Sequence, residues 1–218
     1  MGRLPVPVRD ELLGLGAVRR YADGARMIHE GRDDSHVLLL LSGFAKVTMT
    51  AGEGQALLAV RGPGDTVGEL AATSGHPRQA SVVACSPVTA RVIVASVFRH
   101  FLGRNPEAAV QVAAVVAERL AAANRRRVEF ATQPLQTRLV SVLVELAVLA
   151  GEPAAPGAVR IPLPLRQGEL AAMVGASEDT VQRALRVLRR DGLVETGYRS
   201  LIVRDLHRLR GMLEFPAA

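Results

Sequence analysis

Residues 68–82 read GELAATSGHPRQASV and hold one carboxylate, Glu69, and one guanidinium, Arg78, in otherwise apolar, β-patterned surroundings. An arginine is a permanent cation whose planar fork matches a phosphate. Glu69 would repel a phosphate at contact, so it must serve another group, and a ribose hydroxyl, which donates to a carboxylate, fits. If Gly68–Ala72 opens a short helix, its N–H groups add a ready anion site. One acceptor and one phosphate clamp at this spacing point to a sugar phosphate bound inside a β-barrel. A buried Glu69–Arg78 ion pair closing the Gly75–Pro77 turn would use the same residue types, and the residues alone leave both readings open.

A second constellation lies in RQGELAAMVGASEDTVQRALRVLRR, residues 166–190. A short helix from Glu169 to Val174 ends at Gly175, and Ser177 is placed to cap the next one. In that second helix Val181, Ala184, Leu185 and Leu188 share an inward face, while Glu178, Asp179, Gln182, Arg183, Arg186 and Arg189 point elsewhere. Small residues, a glycine turn and an apolar second helix are what a helix-turn-helix needs to cross closely. Its polar N-terminal end suits a DNA major groove. Arg183 has the two donors that a guanine edge accepts, and Asp179 can accept from cytosine N4. Ser177, Thr180 and flanking arginines suit phosphates. Arg166, Gln167, Glu178 and Gln182 complete the DNA-facing set. The partner is double-stranded DNA.

These residues must be carried by elements whose periods differ along the chain. Segments near 25–29, 36–41, 44–50, 56–61, 79–85 and 88–95 are short, rich in Val, Leu, Ile and Thr, and separated by Gly and Pro turns, which predicts a small antiparallel barrel or jelly roll. Arg9–Arg20 is expected to be a short helix packed on it. From Pro106 to Thr132 the pattern changes. Val110, Ala113, Ala114, Ala117, Leu120, Ala121, Asn124, Val128 and Ala131 recur at three- and four-residue steps, one stripe on a helix roughly 36–39 Å long. An alanine-rich stripe with one polar break suits a coiled-coil dimer; it also suits a helix lying on its own domain's core. Arg125–Arg127 reads as a solvated helix face. A second amphipathic helix runs from Leu135 to about Ala150, 151–158 reads as a loop, and GLVETGYRSLIV, around Gly197, reads as a hairpin. Helix, helix-turn-helix and hairpin is the order of a winged helix.

Composition narrows the classes. The formal net charge is +6 and Lys46 is the only lysine, a basic balance that favours polyanionic partners. A single cysteine, Cys85, excludes an iron–sulfur cluster or disulfide framework built from this chain. The apolar run HVLLLL is stopped by Ser42-Gly43, so no membrane partner is expected. The start of the chain lacks the apolar stretch of a signal peptide, which predicts a cytoplasmic protein. There is no P-loop, no Ser–His–acid constellation and no spaced metal ligands, so neither an enzyme nor a bound metal is expected.

V67-G-E-L-A followed by P77-R-Q-A-S-V resembles the phosphate-binding cassette of cyclic-nucleotide-binding domains. Cassette, long helix and helix-turn-helix in that order resemble the Crp/Fnr family of bacterial transcription regulators over essentially the whole chain. The resemblance implies an α+β architecture: an N-terminal β jelly-roll cyclic-nucleotide-binding domain (1–105), a long dimerisation helix (106–132) and a C-terminal winged helix-turn-helix (133–218). It assigns the ribose to Glu69, the phosphate to Arg78 and the phosphate-lining backbone to Gly68 and Leu70, with Gln79 and Ala80 beside them. Gln79 stands where cyclic-AMP receptors often have serine. Ala123-Asn124 stands where they use a Thr–Ser or Thr–Asn pair on adenine, leaving Asn124 as the candidate for the base. The implied effector is a cyclic nucleotide, cAMP first and cGMP second. The implied partners are a palindromic operator, a second copy of the chain and, for an activator, RNA polymerase, although no segment marks a polymerase-contacting surface. Glu178 replaces an arginine common at its position, which argues for a different half-site. A haem sensor using His76 and Cys85, or a regulator needing no ligand, is the alternative within the same family.

Overall fold

The computed structural model describes residues 4–52, 54–197 and 200–214. After α1 (Val6–Gly14), the short apolar runs form β1 (Ala17–Tyr21), β2 (Arg26–Ile28), β3 (Val37–Ser42), β4 (Ala45–Ala51), β5 (Gly54–Arg61), β6 (Thr66–Val67), β7 (Ser81–Ala84) and β8 (Val88–Ile93). The short helix α2 (Glu69–Ser74) lies between β6 and β7, and α3 (Ala95–Arg104) follows β8. The strands make two four-stranded sheets, ordered β1-β8-β3-β6 and β2-β7-β4-β5. This is the double-sheeted β-roll expected from the strand spacing.

Strand β3 shows why the run VLLLL is apolar throughout. Alternate strand residues face opposite sides of a sheet. Leu38 and Leu40 pack with Ile28, Val82 and Ala90 between the two sheets. Val37 and Leu39 pack on the other side with Val8, Leu12, Phe98, Phe101 and Ala108 from flanking helices. Both faces are buried, so no position can be polar.

Two local expectations are corrected. The helix foreseen over Arg9–Arg20 ends at Gly14, and residues 17–21 are strand β1, paired with β8 from Ala17↔Val92 to Tyr21↔Val88. The open edge of β8 offers backbone partners that outweigh the local pattern. The loop foreseen at 151–158 contains a hairpin, β9 (Glu152–Ala155) and β10 (Ala158–Ile161). Every residue of β9 is exposed and it lies at its sheet's edge, where Pro153 is tolerated because no ladder bond is lost.

Helix α4 (Pro106–Thr132) is 27 residues long, with the bounds that Pro106 and the Thr132 break predict. Its stripe faces outward: Val110 is 69% exposed, Leu120 61% and Val128 61%. Within this chain the stripe therefore does not lie on a core.

Beyond α4 come α5 (Leu135–Ala150), the β9–β10 hairpin, α6 (Gln167–Val174), α7 (Glu178–Arg190), β11 (Val194–Gly197), β12 (Ser200–Val203) and α8 (Leu206–Glu214). The strands form a third sheet ordered β11-β12-β10-β9. Leu139, Leu143, Leu146, Ile161, Val174, Val181, Leu188 and Leu209 are at most 1% exposed and form the core of this part. The hairpin around Gly197 is present as β11 and β12, while its tip, Tyr198 and Arg199, lies outside the described residues. The chain divides into two compact units, residues 1–54 with 59–123 and residues 55–58 with 124–218, so α4 contributes to both. No helix among the described residues is long and apolar enough to cross a membrane.

Candidate functional site

Strand β6 ends at Val67, and the chain turns through Gly68 at φ 83° into α2, whose first residue is Glu69. Only glycine serves at that turn. A Cβ at residue 68 would collide with Arg78 Nη1 and stand 2.9 Å from both the His36 carbonyl oxygen and Ile28 Cδ1. Arg78 is 3% exposed and spends three donors inside the protein. Its Nε donates to Asp34 Oδ1 at 2.6 Å, Nη1 to the Gly68 carbonyl at 2.9 Å and Nη2 to the His36 carbonyl at 2.6 Å. Glu69 is 3% exposed. Its Oε1 accepts from Arg119 Nη1 at 2.6 Å, and Arg119 Nη2 donates to the Thr66 carbonyl at 2.9 Å. Glu69 Oε2 is buried with no hydrogen-bond partner among the described residues.

The two charged residues of the cassette are thus not each other's partners, and the ion-pair reading of the turn is set aside. An unsatisfied buried carboxylate oxygen costs about 1–3 kcal/mol or more, and a hydroxyl donor would relieve it. His36 lies beside Arg78, and its Nδ1 is 4.0 Å from Asp34 Oδ1. Burial first, and then the Arg78 charge, hold the His36 imidazole below its ordinary 6.5.

In the second unit α6 and α7 cross with Leu170, Val174, Val181, Leu185 and Leu188 buried. Ser177 is the N-cap of α7, accepting from the Thr180 N–H at 3.4 Å. The hydroxyls of Ser177 and Thr180 lie 2.8 Å apart, and Arg183 Nη2 donates to Thr180 Oγ1 at 3.2 Å. Asp179, Gln182, Arg183, Arg186 and Arg189 are all exposed, and Arg189 Nη1 reaches Thr196 Oγ1 of β11 at 3.0 Å. Arg166 and Gln167 are exposed at the start of α6, where the Arg166 N–H donates to Glu169 Oε2 at 2.7 Å. The turn at Gly175 packs on the Phe130 ring, and Arg138 stacks on the same ring, 5.5 Å from its centroid. The end of α4 is therefore tied to the reading turn.

Family models match both halves. The cyclic nucleotide-binding domain matches residues 18–105, and the Crp-like helix-turn-helix domain matches residues 137–212. The chain belongs to the Crp/Fnr family of transcription regulators. It is 29% identical over 190 residues to a CRP-like cAMP-activated global transcriptional regulator of Mycobacterium tuberculosis, covering 87% of this chain and 84% of that one. A CRP/FNR transcriptional regulator of Thermus thermophilus superposes with TM-score 0.77 at 25% identity, over 92% of this chain and 100% of that one. The c-di-GMP responsive global regulator of Xanthomonas campestris shares the fold, with TM-score 0.75 at 19% identity over 91% and 99%. The protein is a DNA-binding transcription regulator with a cyclic nucleotide-binding domain, not an enzyme.

For this Crp/Fnr regulator, the structure brings Gly68, Glu69 and Arg78 together at the start of α2, where Arg78 Nη1 donates to the Gly68 carbonyl. Leu70 beside them is 39% exposed. Gln79 is exposed and Ala80 half-buried on the approach to β7, and Asn124 is exposed on α4. Glu178 does not stand free: its carboxylate lies against Gly168 at the start of α6, close enough that any Cβ there would strike it. Arg125–Arg127 is not wholly solvated, because Arg126 Nη2 donates to both oxygens of Glu145 at 2.8 Å. Of the haem candidates, His76 is exposed, whereas Cys85 is buried one residue past β7 rather than on a strand. Sequence reasoning missed Arg119 and Asp34. Arg119 carried a faint signal, a lone cation in the first half of an alanine-rich helix.

Proposed function

We propose that the protein is a homodimeric regulator whose affinity for a palindromic operator is set by a cyclic nucleotide, cAMP first and cGMP second, in the cytoplasm. In this reading residues 1–105 sense the effector, 106–132 dimerise and 133–218 read DNA. The observation that carries it is the buried Oε2 of Glu69, without a hydrogen-bond partner among the described residues, one residue from the Gly68 carbonyl that holds a buried guanidinium. Oε2 takes the ribose hydroxyl, Arg78 takes the phosphate, the backbone of Gly68 and Leu70 with Gln79 and Ala80 lines it, and Asn124 is assigned to the base. Ser177, Thr180, Arg166 and Gln167 take DNA phosphates; Asp179, Gln182 and Arg183 face base edges, with Glu178 beside them. The exposed stripe of Val110, Leu120 and Val128 supports pairing with a second copy. RNA polymerase joins as a partner if the regulator activates. Effector changes DNA affinity only through unequal affinity for two arrangements of the dimer.

Calorimetric titration with cAMP and cGMP, with Arg78→Ala as control, tests the pocket. Gel shifts with and without nucleotide test the coupling: equal DNA affinity in both overturns it. Leu120→Glu is expected to give a monomer in sedimentation, and a persistent dimer would remove the stripe from the interface. A ligand-independent regulator is the second reading, favoured by the carboxylate of Asp34 already resting on Arg78.

A further inference from the structure

Resting on the cyclic-nucleotide reading, we propose that Asp34 competes with the effector's phosphate for Arg78 and so sets effector affinity. Arg78 is the cation to which the phosphate is assigned, and it is already charge-paired: Nε lies 2.6 Å from Asp34 Oδ1. An arginine holds a phosphate best through two parallel N–H bonds, and with Nε engaged the edge that includes it is closed. The guanidinium on the Glu69 side, Arg119, is likewise taken, 2.6 Å from Glu69 and 3.8 Å from Asp65. Two cations therefore face three carboxylates before any phosphate enters. A monoanion added to that set meets surplus negative charge unless one carboxylate withdraws.

Asp34 is the one suited to withdraw. Its side chain is 41% exposed while that of Arg78 is 1% exposed, so Asp34 can pass its charge to water and Arg78 cannot. Glu69, whose side chain is 4% exposed, has no such exit. Arg78 does not need Asp34 to be aimed, because the carbonyls of Gly68 and His36 hold its other two nitrogens at 2.9 and 2.6 Å. Asp34 lies between β2 and β3, 44 residues from Arg78 in sequence, so its release also frees one tether of that connection. An intramolecular competitor reduces apparent affinity to the fraction of time it leaves the site free.

Titration of the full-length protein with cAMP and cGMP tests this, using wild type, Asp34→Asn, Asp34→Ala, Asp34→Glu and Arg78→Ala. Roughly five- to tenfold tighter binding is expected for Asn and Ala, near wild-type binding for Glu, and none for Arg78→Ala. Damage to the fold lowers affinity, so a gain in either neutral variant is not a folding effect and reports release of Arg78 from the Asp34 carboxylate. Unchanged or weaker binding in both, with Arg78→Ala still inactive, overturns the competition and leaves the cassette reading standing. No binding of either nucleotide by wild type or by the neutral variants overturns both. Binding by the neutral variants alone supports the competition in its strongest form.

Discussion

The seat of Arg78 on Gly68 can be tested apart from any ligand. Ala at 68 must adopt φ near 83°, a left-handed conformation that costs an L-residue about 1–2 kcal/mol. Its Cβ must also displace Arg78 Nη1 and so break the bond to the Gly68 carbonyl; hydrogen bonds to charged groups contribute about 1.5–3 kcal/mol. Gly24→Ala separates the two effects, since Gly24 has φ 79° but nothing within 4 Å of a Cβ. The difference between the variants, at least about 1.5–3 kcal/mol, combines the lost arginine bond with the crowding of the His36 carbonyl and Ile28. At about 2–4 °C per kcal/mol for a chain of this size, scanning calorimetry should place Gly68→Ala at least about 3 °C below Gly24→Ala. A cAMP titration should show Gly68→Ala bound at least tenfold more weakly, about 1.4 kcal/mol. Coincident melting of the two variants would refute the claim that residue 68 is glycine because of Arg78.

Three further outcomes follow from the geometry. His36 is held below its ordinary 6.5, so the unfolded chain binds its proton more readily; stability is full above about 6.5 and falls on acidification below it, and His36→Gln should flatten that limb in melts from about pH 7.5 to 5. Arg183→Ala should relax sequence preference in operator-variant gel shifts, whereas Arg186→Ala should weaken all DNA alike and reduce the salt slope by about one; equal effects would merge their roles. Ser177→Ala removes the α7 N-cap and should cost about 1 kcal/mol in urea unfolding, with Ser177→Gly costing less.

What was legible in the sequence was local. The bounds of α4 follow from a proline and a polar break, the α6–α7 pair from Gly175 and Ser177, and the two sheets from regular turn spacing, each within one or two turns of chain. What was missed depends on partners far away in the chain. Residues 17–20, foreseen as helix, become strand because β8 supplies an unpaired edge, and 151–158, foreseen as a loop, holds β9 and the start of β10, whose other edge pairs with β12. The site divides the same way. Glu69 and Arg78 are visible because a short run of turn chemistry frames them, but their partners are not: Arg119 reaches Glu69 across 50 residues and Asp34 reaches Arg78 across 44. Neither carries a local pattern, because one sits in an ordinary helix and the other in an ordinary connection.

Those distant partners change what the pocket asks of a ligand. Glu69 keeps one oxygen satisfied by Arg119 and the other bare, whereas the guanidinium of Arg78 is met on all three nitrogens. The carboxylate oxygen offered to a hydroxyl is therefore buried and unsatisfied, and the cation offered to a phosphate is already paired. A ligand with phosphate alone must break a good ion pair and gains only its replacement. A ligand that brings a hydroxyl to Glu69 also relieves a buried, unsatisfied oxygen, which inorganic phosphate cannot do. Discrimination against free phosphate then comes from Glu69 rather than Arg78. Glu69→Ala should accordingly weaken cAMP without weakening inorganic phosphate, measured in the Asp34→Asn background. If phosphate binding fell by the same factor as cAMP binding, the hydroxyl would not be the group that Glu69 receives.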